Sequence, residues 1–184
     1  MRTMIHSQRN CEDQEKIDHF LTNTRTGLLG LADGPQPYVV PLNYVWWNKC
    51  IYFHGLSSGR KISVIRQNHN ACFTVFEEFG TVTDPVPAKT DTAYMSVMLF
   101  GIVEKVEQLD DSTSVLQQFL NKYVPGYYDR PLSKVHVDKY RSSLDHQAVS
   151  VYRMRPHTIT AKENPIDEQN MFDSGRSVSN CPAH

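Results

Sequence analysis

No two cysteines in this chain stand at metal-binding or redox spacing. Cys11, Cys50, Cys72 and Cys181 lie far apart. With no C-x-x-C and no histidine placed to join one, a zinc site or disulfide framework is not expected, and a reduced, cytoplasmic compartment is. Charge of one sign is lacking as well: 19 Lys and Arg against 20 Asp and Glu leave a net charge of −1, without the basic footprint of a nucleic-acid binder. No apolar run approaches the roughly 20 residues that cross a bilayer. The first residues, MRTMIHSQRNCEDQ, lack the apolar stretch of a signal peptide. Neither a membrane nor a nucleic acid is expected as a partner.

What is present is enough chain for one domain, 184 residues, with a real core. A helix is expected from near Cys11, capped by Asn10, with Ile17, Phe20 and Leu21 on its apolar side. Strand-like runs follow at 26–32, 37–47 and 50–54, separated by the turn signals Asp33-Gly34 and Asn48-Lys49. Connections this short join antiparallel strands. A short helix is expected after Gly59, then strands at 71–78 and 93–107 and a helix over 111–123. Residues 124–146 read as irregular, and 147–155 and 157–162 as a last strand pair. The sum is a mainly β domain over 1–163, a barrel of six or seven antiparallel strands with inserted helices. Residues 164–184 form a polar tail, expected to be mobile.

The strands at 39–47 and 93–103 carry large apolar residues at both parities: Val39, Val45 and Trp47 against Val40, Leu42, Tyr44 and Trp46. A strand with one face in water alternates instead. The outer wall therefore needs a cover, and a homodimer with a ligand at its seam is the simplest one.

The segment Y-F-H-G-L-S-S-G-R-K at 52–61 supports two chemistries. Gly55 to Gly59 spell G-x-S-x-G, the pattern of a serine nucleophile elbow. That elbow needs a parallel sheet and an oxyanion segment, and the hairpins before Ser57 supply neither. As a phosphate loop, the glycines admit backbone N–H groups, Ser57 and Ser58 add donors, and Arg60 and Lys61 add charge at a helix start. Two cations opposing a helix dipole make sense when an anion shares the site.

The run 25–75, the block Y-M-S-V-M-L-F-G-I-V at 94–103, the Tyr123-Val124-Pro125 segment and V-x-V-Y-R-M-x-x-x-x-I-T-x-K at 149–162 closely resemble the pyridoxamine 5′-phosphate oxidase-like, FMN-binding split-barrel proteins. They are most similar to the nitroimidazole-resistance (Nim) branch. The resemblance implies a homodimeric split barrel with FMN at the subunit interface. It implies phosphate contacts from Ser58, Gly59, Arg60 and Lys61, and a ring lying along Pro41, Leu42, Asn43 and Tyr44 beside Phe53 and His54. Ser96 and Val97 match the strand facing the cofactor. His54 is the candidate catalytic residue, able to move protons near neutral pH. The implied activity is oxidoreduction of a small acceptor, nitroaromatic or quinone-like, with NAD(P)H as a transient donor, since no Rossmann glycine motif is present. Relatives that bind haem or deazaflavin F420 leave those cofactors as alternatives, as they leave a storage or sensing role without turnover. For haem, an axial ligand would come from a histidine such as His54 or His157. Pyridoxamine 5′-phosphate oxidases end in an arginine-rich segment, whereas this chain ends SGRSVSNCPAH, which argues against that substrate.

Overall fold

Hairpin-length connections produce an antiparallel sheet, and its order shows how it curls. In the computed structural model, which describes residues 7–142 and 146–180, four helices accompany seven strands. They are α1 (Gln14–Asn23), β1 (Thr26–Asp33), β2 (Gln36–Asn43), β3 (Val45–Trp47), β4 (Cys50–Gly55), α2 (Arg60–Gln67), β5 (Asn70–Val82), β6 (Asp91–Lys105), α3 (Leu109–Tyr123), α4 (Lys134–Lys139) and β7 (Ser150–Asn164). The strand order is β2-β1-β5-β6-β7-β4-β3. Its two edge strands, β2 and β3, are consecutive in the chain with only Tyr44 between them. The sheet must therefore curl until its edges meet, which is the barrel expected from the sequence.

That corner corrects one reading. The run 37–47 is not one strand covered on both sides, because the chain changes sheet edge at Tyr44, and Tyr44 and Val45 are both buried. From Tyr44 onward the double parity records a change of direction, whereas within β2 Val39 lies exposed on the outer wall and Val40 and Leu42 are half-buried on the other face. In β6 it is real: Val97, Leu99 and Val103 are fully buried, while Met98, Phe100 and Ile102 on the other face are 39%, 37% and 41% exposed.

The interior holds one large cluster, including Leu29, Phe53, Phe73, Val75, Val97, Leu99 and Met154. A second lies on the outside of the wall, where Val115 and Phe119 of α3 pack on Val45, Tyr52 and Val151. Tyr52 and Phe53 thus face opposite sides of β4, as strand alternation requires.

Several boundaries differ from expectation for local reasons. Helix α1 starts at Gln14, and its cap is Asp13, whose carboxylate accepts from the Lys16 N–H at 3.1 Å. Asn10 instead bridges to Lys162, and the Cys11 N–H bonds to the Ala161 carbonyl at 3.1 Å. The expected last strand pair is one strand, β7, because Pro156 sits opposite Gly101 where the register shifts. A bulge is where a residue without an N–H fits inside a sheet. The stretch after α3 contains α4. The tail expected to be mobile is docked where it is described: Val82 bridges to Met171, and the Phe172 N–H bonds to the Thr81 carbonyl at 2.8 Å; residues 181–184 lie outside the described residues. Among the described residues no helix is long and apolar enough to cross a membrane, and Cys11, Cys50 and Cys72 carry free thiols. Cys181 lies outside the described residues.

Candidate functional site

Strand β4 ends at Gly55, the four residues Leu56 to Gly59 turn the chain, and α2 starts at Arg60. Gly59 holds the cap position with φ 97° and ψ 173°, and no side chain caps the helix. That backbone region is essentially glycine's alone. The first N–H groups of α2 are left to other partners, the arrangement that receives phosphate oxygens. A cavity of about 260 Å³ opens over the loop, lined by Tyr38, Val40, Leu56, Ser58, Gly59, Arg60 and Lys61.

The two cations in it differ. Arg60 is exposed; its Nε lies 2.9 Å from Asp33 Oδ2, and its guanidinium sits 4.4 Å over the Tyr38 ring. Lys61 is half-buried and forms no ion pair among the described residues; its Nζ is 5.4 Å from the centre of the Phe53 ring. Loss of water lowers the Lys61 pKa from the ordinary ammonium value. An incoming phosphate would supply the missing opposite charge.

Ser57 and Ser58 are both engaged by Gln147, at 3.0 and 3.3 Å from its Oε1. Among the described residues Ser57 has no histidine or carboxylate partner, and the positive-φ residue in this loop is Gly59, not Ser57. The described residues do not form a nucleophile elbow.

His54 points to the α3 side of β4. Its ring meets Phe119 edge-on, with centroids 4.6 Å apart, yet it keeps an exposed edge. Crowding by protein lowers its pKa, and the Lys61 charge adds to that. A neutral imidazole is therefore favoured around pH 7, able to accept a proton.

Strand alternation divides the remaining expected residues. Pro41 pairs with Leu28, Leu28 with Thr74, Thr74 with Met98 and Met98 with Thr160. That row crosses the outer wall, and Asn43 and Ser96, two positions from Pro41 and Met98, share its face. Pro41, Asn43 and Ser96 are thus brought together with a band of exposed apolar residues. Leu42, Phe53 and Val97 turn inward onto the core, and Tyr44 is buried at the corner, its hydroxyl donating to the Leu21 carbonyl at 2.8 Å. The side chains of Tyr44, Phe53 and Val97 support the wall; only their backbone could meet a ligand on it.

Sequence reasoning missed Asp33, Tyr38, Gln147, Phe119 and the Tyr123 hydroxyl. That hydroxyl accepts from the Tyr44 N–H at 2.9 Å and lies at the Arg25 carbonyl, fixing the corner that follows Asn43. Asp33 carries a turn signal in the sequence, and Gln147 acts across 90 positions, where no local pattern reaches.

A family model described as pyridoxamine 5′-phosphate oxidase matches residues 13–163. Curated protein sequences give no match. Among solved structures, the flavocytochrome Anf3 of Azotobacter vinelandii superposes with a TM-score of 0.73 at 19% identity, over 100% of this chain and 80% of that one. An FAD and haem binding protein of Mycobacterium smegmatis gives 0.69 at 16%, over 86% and 76%. A candidate 5-nitroimidazole antibiotic resistance protein of Bacteroides thetaiotaomicron gives 0.65 at 21%, over 88% and 95%. At these identities the likeness is one of fold.

Proposed function

The chain belongs to the pyridoxamine 5′-phosphate oxidase family, and from that premise we propose that it is an FMN-dependent oxidoreductase of the Nim-like branch. The observation that carries this reading is the uncapped start of α2 beside a desolvated lysine, in a cavity of about 260 Å³. Those groups fit a phosphate monoester, the end of FMN that a protein grips most strongly.

The bound flavin would supply the electron transfer. The chain would supply the rest. The α2 N–H groups, Ser58 and Lys61 hold the phosphate, and Arg60 joins them by leaving Asp33. The outer face at Pro41, Asn43 and Ser96 receives the ring, and a second copy of the chain covers it. His54, neutral and beside Lys61, takes or returns a proton at the edge of the site. The acceptor is a small nitroaromatic or quinone-like molecule, with NAD(P)H as a transient donor. The free thiols among the described residues suit a cytoplasmic setting.

Heat release of the cofactor from purified protein, read by absorbance and mass, tests the assignment. FMN at one equivalent per chain is expected; haem, FAD or deazaflavin in its place overturns it. Bleaching of the yellow protein by NAD(P)H, with recovery on adding an acceptor, is expected of the enzyme. Colour that no donor bleaches would instead indicate a flavin-binding protein without turnover.

A further inference from the structure

Away from the phosphate loop, a cavity of about 390 Å³ opens between the end of α1, the start of β3 and the last turns of α3, lined by Thr22, Arg25, Val45, Trp46, Gln118, Asn121 and Lys122 among others. It holds two cations without a counter-charge among the described residues. Lys122 Nζ donates to the Thr24 carbonyl at 2.8 Å and sits 4.1 Å over the Tyr44 ring. The Arg25 guanidinium lies 4.7 Å over the Tyr123 ring. Among the described residues neither forms an ion pair. The nearby carboxylates are committed elsewhere: Asp18 to Lys49 and the Trp46 indole, Glu77 to the Thr24 hydroxyl.

Carbonyl contacts satisfy part of the Lys122 ammonium, and the α1 carbonyls soften its charge. They do not explain why an exposed guanidinium is held beside it, since like charges disfavour each other. Burial and then the Arg25 charge push the Lys122 pKa down to about 8. An anion entering the cavity removes both penalties. The guanidinium fork matches a carboxylate in two-point geometry. The Gln118 amide and the Asn121 NH₂, which have no partner of their own among the described residues, add donors. Val45 and Trp46 supply an apolar wall for a flat ring.

We propose that this cavity binds a small aromatic carboxylate. The site is separate from the phosphate loop and independent of the flavin reading.

Benzoate is the probe, added to the full-length protein as purified, with the Trp46 indole N–H signal followed by NMR and identified by its loss in Trp46→Phe. A saturable shift is expected with benzoate and not with benzamide, its neutral counterpart. Arg25→Gln, a change at an exposed side chain, should weaken binding about tenfold or more; Lys122→Met should do the same. Affinity should also fall as pH rises through about 8, where Lys122 loses its proton. No saturable shift, an equal response to benzamide, or unchanged affinity in both variants overturns the proposal. Inorganic phosphate binding as tightly as benzoate overturns the carboxylate assignment. Because the signal comes from Trp46, failure here leaves the flavin assignment standing.

Discussion

At the residue scale, the two loop cations predict unequal effects. Arg60 begins paired with Asp33, so recruiting it to a phosphate means giving up that contact first. Such exposed ion pairs are worth about 0–1 kcal/mol. Lys61 begins half-buried and, among the described residues, without a counter-ion, so a phosphate gains its full charge-assisted bond, about 1.5–3 kcal/mol. Lys61→Met should therefore raise the FMN dissociation constant of apoprotein about 10- to 100-fold, and Arg60→Ala by less, as read by quenching of flavin fluorescence. Equal losses would show that Arg60 does not rest on Asp33 in solution. For His54, burial lowers the pKa below the ordinary imidazole value, so the unfolded chain binds the proton more readily. Stability is then lost as pH falls from the ordinary imidazole range through the lowered folded value, and recovered above it. An NMR titration should place the His54 midpoint below that of a free imidazole. His54→Gln should leave FMN affinity intact and slow turnover; unchanged turnover would reduce His54 to a packing partner of Phe119.

At the scale of elements, two glycines hold the site in shape for different reasons. Gly59 is a matter of backbone, with open space where a Cβ would go but φ at 97°; Gly59→Ala costs about 1–3 kcal/mol in strain and should fall mainly on the phosphate loop. Gly101 is a matter of contact: a Cβ there would lie 2.1 Å from the Arg155 carbonyl oxygen. Backbone cannot yield as a side chain does, so Gly101→Ala should cost about 3 kcal/mol. In a chain of this length that lowers the melting temperature by roughly 6–12 °C, measurable by circular dichroism. These elements were unequally legible. The strand at 50–54, the helix start after Gly59 and the Asn48-Lys49 turn were readable, because each rests on residues adjacent in sequence. The corner at Tyr44 was not, because a change of sheet edge breaks parity in the same way as a covered outer face. The split between Phe53 and His54 followed from alternation alone, once β4 was placed with a core on each side of it.

At the scale of the whole molecule, packing turns on the outer wall. Val39, Leu28, Phe76 and Met98 are 57%, 44%, 52% and 39% exposed on adjoining strands, and Pro41, Asn43 and Ser96 share their face. A contiguous apolar face of this kind on a chain with alternation elsewhere marks an interaction surface. The requirement for a cover was legible in β6 from its two apolar parities; the identity of the cover was not, because a helix, a ligand and a second chain satisfy the same pattern. Helix α1 packs against β3, α3 against β3 and β7, and α2 against β1 with its buried residues in the interior cluster, so this face is free for the second copy proposed above. Met98 sits mid-row between Thr74 and Thr160, so a charge there would be buried without a partner in a dimer but solvated in a monomer. Met98→Lys should therefore give a monomer in analytical ultracentrifugation while the wild type sediments as a dimer. Circular dichroism should stay unchanged, since the residue is exposed within one chain. If the flavin ring is held between two copies on this face, the same variant should also purify without colour, although its phosphate loop is untouched. A monomeric variant that keeps full flavin occupancy would confine the cofactor to one chain and remove the dimer from the site.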